Sequence, residues 1–400
     1  MSTYQYYEFL AVDRPLTAEE QAEVRKTSTR AKISATGFVN EYHYGDFSGD
    51  PRRLLSRYYD AHLYFANWGS RQVMVKLPSR LVDMKLCEQY FADPGCSISR
   101  GKGTVVFDFS PGFEDGGEWE DVWDEGDLGV ALTVIARVRN EIATGDLRGL
   151  YLAWLAAYGR WEVDEAAFPP EDEDRLEPPV PAGLGRLTGP QRALADFLRL
   201  DRDLLAVAAG NSPERTGSTG QDAEEAIRSL SESDKDNLLA RVAAGEGEAV
   251  RMELARLAAG ERSGAVSDPD RLRTVGELLD AAAEHREQRL KRERFIAAAE
   301  ADAHAAEEAK RARIERDRRF RALARDPEAA WERVGQLVEV GRSGEYDEAA
   351  QIVEDLWTLA QRDGHQDAVL PRLVELRARY ARRPAFQRRL DERAIPTAGE

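Results

Sequence analysis

The first hundred residues alternate between two hydrophobic periods. Tyr6 to Val12 is a β-rich run, Ile33 to Tyr44 a second, Arg71 to Leu77 a third and Thr104 to Phe109 a fourth. Helical signals lie between them. Thr17, with Glu20 three residues on, is a capping-box sequence that opens a helix reaching Thr29. Asp50, with Pro51 at the first helical position, starts another whose apolar side is Leu54, Tyr58, Leu63 and Phe65. Asp83 to Phe91 forms a third. The resulting βαβαβαβ order predicts a small mixed α/β domain of about four strands with covering helices. Two amphipathic helices complete it, one carrying Leu128, Leu132, Ile135, Val138 and Ile142, the other Leu147, Leu150, Tyr151, Trp154, Leu155 and Tyr158.

Beyond residue 163 the pattern changes. Residues 164–189 are rich in Pro, Glu, Asp and Gly, a composition expected of a stiff, self-repelling linker. No strand pattern follows. Residues 190–265 read as a bundle of short helices, three of them ending in Ala-Ala-Gly, where glycine takes the left-handed conformation past a helix end. Residues 266–326 read as one long charged helix whose apolar positions thin to alanines between Leu290 and Ile314, so a sustained coiled-coil heptad is absent. Residues 327–400 form a helical hairpin region. There Trp331, Val334, Gly335 and Val338, then Gly344, Tyr346 and Ala349, echo a single imperfect tetratricopeptide copy. The expected fold class is α+β, with a globular domain over 1–163 and an all-α, extended C-terminal half.

Charge divides the chain differently. Of the 400 residues 32% are charged, and the net charge is -17. From residue 261 onward 27 basic residues nearly balance 29 acidic ones, so the excess acidity lies before it, 29 against 44. Such a surface repels phosphate backbones and disfavours nonspecific nucleic-acid binding by the whole molecule. Cys87 and Cys96 are too few for a disulfide framework or a zinc site, which points to free thiols in a reducing compartment. The start lacks the pattern of a secretory signal. The most apolar stretch, Leu128 to Ile142, is interrupted by Arg137 and Arg139 and falls short of a membrane span. These features lead to the expectation of a cytoplasmic protein without membrane contact.

Candidate chemistry is sparse. The five histidines form no motif. His43 stands beside Asp46 and Asp50 in YHYGDFSGD, where a base and an orienting carboxylate can converge; aromatic flanks and a turn explain the same residues. The acidic loop from Glu114 to Asp127 surrounds Trp119 and Trp123. It lacks calcium-loop spacing, so no metal is expected, and its tryptophans suit partner docking. Gly101-Lys102-Gly103-Thr104 runs into a strand instead of a helix, and Gly183, Gly185 and Gly189 miss the dinucleotide spacing; both read as structural, and no cofactor is implied. Basic residues crowd the long helix, among them Arg311, Arg313, Arg318 and Arg319. Acids interleave with them at helical spacing, favouring a solvated face or an acidic protein partner over nucleic acid. Tyr7, Phe9, Phe107 and Phe109 alternate as base-stacking aromatics do, but without basic surroundings they read as core.

The segments YQYYEFLAVDRPLT, FVNEYHYGDFSGDPRRLLSRYYDAHLYFANWGSR and EPPVPAGLGRLT resemble a family of uncharacterised bacterial proteins of similar length. The resemblance carries no activity and no functional residue. The sequence therefore leads to a non-enzymatic interaction or scaffold component of a bacterial cytoplasmic assembly. Its alternatives are an enzyme or nucleic-acid accessory factor with a site near His43, Asp46 and Asp50, and nucleic-acid binding through the arginine-rich helix.

Overall fold

The structure, a computed structural model, describes residues 4–92, 95–111, 125–158, 173–215, 220–259 and 272–397. They form two compact units, Met1–Leu290 and Lys291–Glu400. The class is α+β.

In the first unit, strands β1 (Gln5–Leu10), β2 (Lys32–Ile33), β3 (Gly37–Tyr42), β4 (Ala61–Ala66), β5 (Arg71–Pro78), β6 (Cys96–Arg100) and β7 (Thr104–Phe109) make one sheet in the order β2-β3-β1-β4-β5-β7-β6. All neighbours are antiparallel. The sheet thus has seven strands where the hydrophobic pattern gave about four. The largest difference is at Ala61–Ala66, read from sequence as the far end of the helix begun at Pro51. That helix stops at Arg57, and Ala61, Leu63 and Phe65 then point to one face of the sheet, a period of two. Gly101 to Thr104 is the β6–β7 hairpin turn, in which the Gly101 N–H donates to the Thr104 carbonyl at 2.8 Å and Gly103 has φ +75°.

Each sheet face has its own core. Tyr7, Phe9, Phe38, Tyr59 and Met74 lie with Val24, Leu54 and Leu55 of α1 (Ala18–Arg25) and α2 (Pro51–Arg57). The Thr17–Glu20 capping box is present, and the Asp50 carboxylate accepts from the Arg53 N–H at 3.2 Å, so both helices start where their caps place them. On the opposite face Tyr6, Leu63, Phe65, Val73, Val75, Phe107 and Phe109 share one core with α4 (Glu125–Ile135), α5 (Val138–Ala143) and α6 (Arg148–Tyr158). A short α3 (Met84–Cys87) precedes β6. Every residue of α6 is buried, so this helix is a wall of the core and not a surface element.

Close approach to α6 fixes the glycine before β6. A Cβ on Gly95 would stand 2.1 Å from the Ala157 Cβ and 3.0 Å from its Cα, a backbone atom that cannot rotate away. Gly95→Ala should therefore cost about 1–3 kcal/mol by overpacking. A urea midpoint unchanged from wild type would refute this.

The same core extends through α7 (Gly189–Phe197) and α8 (Arg202–Gly210), and, beyond α9 (Gly220–Ser229) and α10 (Glu232–Ala243), which add no described residue to it, through α11 (Gly247–Ala259) and the first turns of α12 (Val275–Arg325): Leu194, Phe197, Leu204, Met252, Val275 and Leu278 all belong to it. Residues 173–189, part of the expected linker, are packed as well. Val180 and Leu184 are buried, and the buried Glu177 carboxylate accepts from the Tyr151 hydroxyl and from Arg273 at 2.9 and 3.0 Å. Arg273 thus offsets the charge of Glu177, one of the acids in that composition.

In the second unit the end of α12 is followed by α13 (Pro327–Val340), α14 (Ser343–Asp363), α15 (Gln366–Arg379) and α16 (Pro384–Glu392). Their core is Val334, Val338, Ala349, Val353, Leu373, Phe386 and Leu390. Gly341, at φ +78°, closes the α13–α14 turn. Among the described residues no helix is long and apolar enough to cross a membrane.

Candidate interaction surface

Helix α12 is built from Ala, Glu, Arg and Lys, the residues with the best intrinsic helix propensity, and it has no proline. From Lys291 to Arg319 every residue is exposed. A helix polar on all sides is sustained by pairs three and four residues apart. Glu307 supplies them, with Lys310 at 3.8 Å and Arg311 at 3.4 Å. The stretch ends where Phe320 is buried, with the Arg362 guanidinium 5.9 Å from its ring centroid, and Arg319 reaches Asp355 of α14 at 3.5 Å.

The surface is not uniform. Residues 310–319 carry six Lys or Arg against Glu315 and Asp317, whereas residues 295–309 carry four acids and no Lys or Arg. Arg313 and Arg318 are exposed and have no ion pair among the described residues. Apolar side chains stand among these charges: Phe295 is 77% exposed and Ile314 60%. Large apolar groups so exposed on a helix gain from being covered.

The other candidates named by the sequence lie elsewhere. His43, Asp46 and Asp50 are all exposed beyond the end of β3, and each already has a structural contact. The His43 ring lies 5.3 Å from that of Tyr4, Asp46 accepts from the Gln5 amide at 2.8 Å, and Asp50 caps α2. Trp119 and Trp123 fall outside the described residues. Cys87 and Cys96 are buried free thiols, and burial pushes the Cys87 thiol up to about 12, away from the thiolate form that reacts.

One constellation was not visible in the sequence. Asp203, at the start of α8, is buried and receives Arg289 at 2.7 and 2.8 Å and His285 Nδ1 at 2.9 Å; Arg286 reaches Asp201 at 2.9 Å. Hydrogen bonds from Arg289, then His285, overcome desolvation and hold the Asp203 carboxyl below its ordinary range. The only sequence signal is three basic residues within one turn of α12. Nothing in it says which acid they meet.

No protein-family model, curated protein or solved structure matches the chain. Two cations crowding one buried carboxylate beside His285 make a latch between α8 and α12, since the carboxylate is saturated and has no lone pair in reserve for a substrate. The residues of α12 from 291 to 319 have the opposite character, blocks of acids and of cations with apolar groups among them, all presented to solvent.

Proposed function

We propose that this chain is a non-enzymatic interaction or scaffold protein whose partner is engaged along α12 between Lys291 and Arg319. The observation that carries the reading is the complete exposure of that stretch, with Phe295 and Ile314 standing out of a surface charged in blocks. Aromatic and arginine side chains provide most of the binding energy in interfaces, and block charge sets partner choice and register. The partner that fits residues 310–319 is an acidic protein surface. The alternative of a reactive centre near His43, Asp46 and Asp50 has less support, because Asp46 and Asp50 are already engaged in holding Gln5 and the start of α2.

The test is a triple substitution, Arg311→Glu, Arg313→Glu and Arg318→Glu, which spares the Arg319–Asp355 pair and so the α14 contact. Proteins co-purifying with wild type and variant are quantified side by side, with circular dichroism as the control for folding. An acidic partner should be lost from the folded variant by about tenfold or more, as expected when several charge pairs turn repulsive. An identical set of partners on both chains would sink the reading. If nucleic acid is what co-purifies, its capture will fall steeply with salt, and the arginine-rich helix is then a nucleic-acid surface.

A further inference from the structure

Away from α12, the first unit holds a cavity of about 510 Å³ that the proposed function leaves unused. Its walls include Arg148, Gly183, Gly185, Arg186, Ser212 and Arg215. The volume is within the ~300–1,000 Å³ usual for small-molecule sites. The glycines are those of the sequence PAGLGRL, which misses every phosphate-loop spacing but is folded around a guanidinium.

Arg148, the first residue of α6, is buried, and its Nη1 donates to the main-chain carbonyls of Gly183 and Arg186, both at 3.0 Å. This holds the 183–186 turn in place. On the other side its Nε and Nη2 grip Asp146 at 2.9 and 2.7 Å. Arg215 Nη1 donates to the same carboxylate, and the Gln191 amide adds a further bond at 3.1 Å. Burial pushes the Asp146 carboxyl up, but the Arg148 hydrogen bonds and the two nearby positive charges outweigh it, so it stays below the ordinary range and charged. The turn and the 212–215 segment are laced by Gly183 N–H to the Pro213 carbonyl at 2.8 Å and Leu184 N–H to Ser212 Oγ at 3.0 Å. Gly183 has φ +86°, and a Cβ there would lie 2.9 Å from the Arg215 Cβ, so the close approach of these segments needs glycine.

Three guanidiniums line or border the space, Asp146 and Glu214 face them, and the Glu141 carboxyl, pushed up by burial, lies close enough to act on Arg148. Asp146 is saturated by Arg148, Arg215 and Gln191. The Arg215 side chain is 45% exposed with only Nη1 engaged, and Arg186 is exposed with no ion pair among the described residues. Two arginine forks with spare N–H donors, held over a concave and prebuilt floor, match a planar or tetrahedral oxyanion.

We propose that this cavity is a binding site for a small organic oxyanion, a carboxylate or a phosphate monoester, held by Arg186 and Arg215, with Arg148 and Asp146 fixing the frame. Volume beyond that of one oxyanion leaves room for an organic body against Ala209 and Pro213.

The full-length chain is titrated with inorganic phosphate and, separately, with malonate, at constant ionic strength, following heat of binding and melting temperature. A saturable response with Kd on the order of 1 mM or tighter is expected from at least one anion. Phosphate alone marks a phosphate monoester as the natural ligand, and malonate alone marks a carboxylate. Arg186→Glu should weaken binding by about tenfold or more, the loss of one charge-assisted pair. Gly185→Trp, a bulky group on the cavity wall at a position where a Cβ meets nothing within 4 Å, should abolish it without altering charge. Arg382→Glu, an equal charge change at an exposed residue elsewhere, should have no effect. The absence of a saturable response to either anion, or equal affinity in wild type and both cavity variants with unchanged melting temperature, would overturn the proposal.

Discussion

Asp13→Ala is expected to destabilise the first unit by about 3–5 kcal/mol, the cost of stranding a buried charge. Arg139, at the start of α5, has a side chain with no solvent exposure. Its Nη1 and Nη2 meet the two Asp13 oxygens at 2.8 Å each, and its Nε donates to the Lys76 carbonyl of β5 at 3.0 Å. Without Asp13 the buried guanidinium keeps only that carbonyl as a hydrogen-bond partner, with the Glu248 charge nearby. Arg139→Met removes the charge together with its need for a partner and retains most of the packed stem, so its cost should be smaller, about 1–2 kcal/mol. Urea midpoints of the two variants decide the matter. Equal losses would mean that packing of the stem, not the stranded charge, dominates.

The second large effect is one of pH. His62 on β4 is buried and stacked on Phe9 at 4.1 Å, and its Nδ1 donates to the Glu8 carbonyl at 2.9 Å. Desolvation, only partly offset by that bond, pushes the imidazole down to about 3 from 6.5. Desolvation also raises the Glu8 carboxyl from 4.5 to about 7, against a lowering by the Tyr6 hydroxyl that donates to it at 3.1 Å. The unfolded chain binds a proton at His62 between pH 3 and 6.5 that the folded chain does not, so stability from this group is lost as pH falls. The folded chain keeps a proton on Glu8 between pH 4.5 and 7 that the unfolded chain releases, so stability from this group is lost as pH rises. Each contributes a slope of about 1.4 kcal/mol per pH unit, with opposite sign. They cancel between pH 4.5 and 6.5 and leave a plateau there. Glu8→Gln should remove the plateau. Relative to wild type the variant should gain about 3 kcal/mol between pH 4 and 7.5, read from urea unfolding across that range. A difference between the two chains that does not vary with pH would rule out a buried, protonated Glu8.

What the chain reveals in one dimension tracks the range of the interaction involved. Local devices were legible: the Thr17–Glu20 box, the Asp50–Pro51 start, and the period-two strands around β1, β5 and β7. Short segments without a clean period were not. AHLYFA is strand because β1 and β5 flank it, and CSISR is strand because the Gly101–Thr104 turn folds it onto β7; neither has a preference strong enough to show alone. The exposed charged helix was evident from composition, since nothing in residues 291–319 repeats with a core-forming period. The cavity was invisible for the opposite reason. Arg148, Arg186 and Arg215 are dozens of residues apart, and each alone is an ordinary surface-type residue until the fold sets them around one cavity, two of them on Asp146.

The order of the sheet has a consequence for how the chain comes together. Its two outer strands are poor templates: β2 has two residues, and β6 shows solvent Ser97, Ser99 and Arg100. The long, aromatic strands β3 and β4 are kept apart only by β1, which pairs with both along its whole length. Until β1 slots in, Phe38 and Tyr42 on one side and Leu63 and Phe65 on the other border two open rows of backbone N–H and C=O. The vulnerable species for aggregation is then the chain with that slot unfilled, and whatever slows the entry of residues 5–10 sets how long it persists.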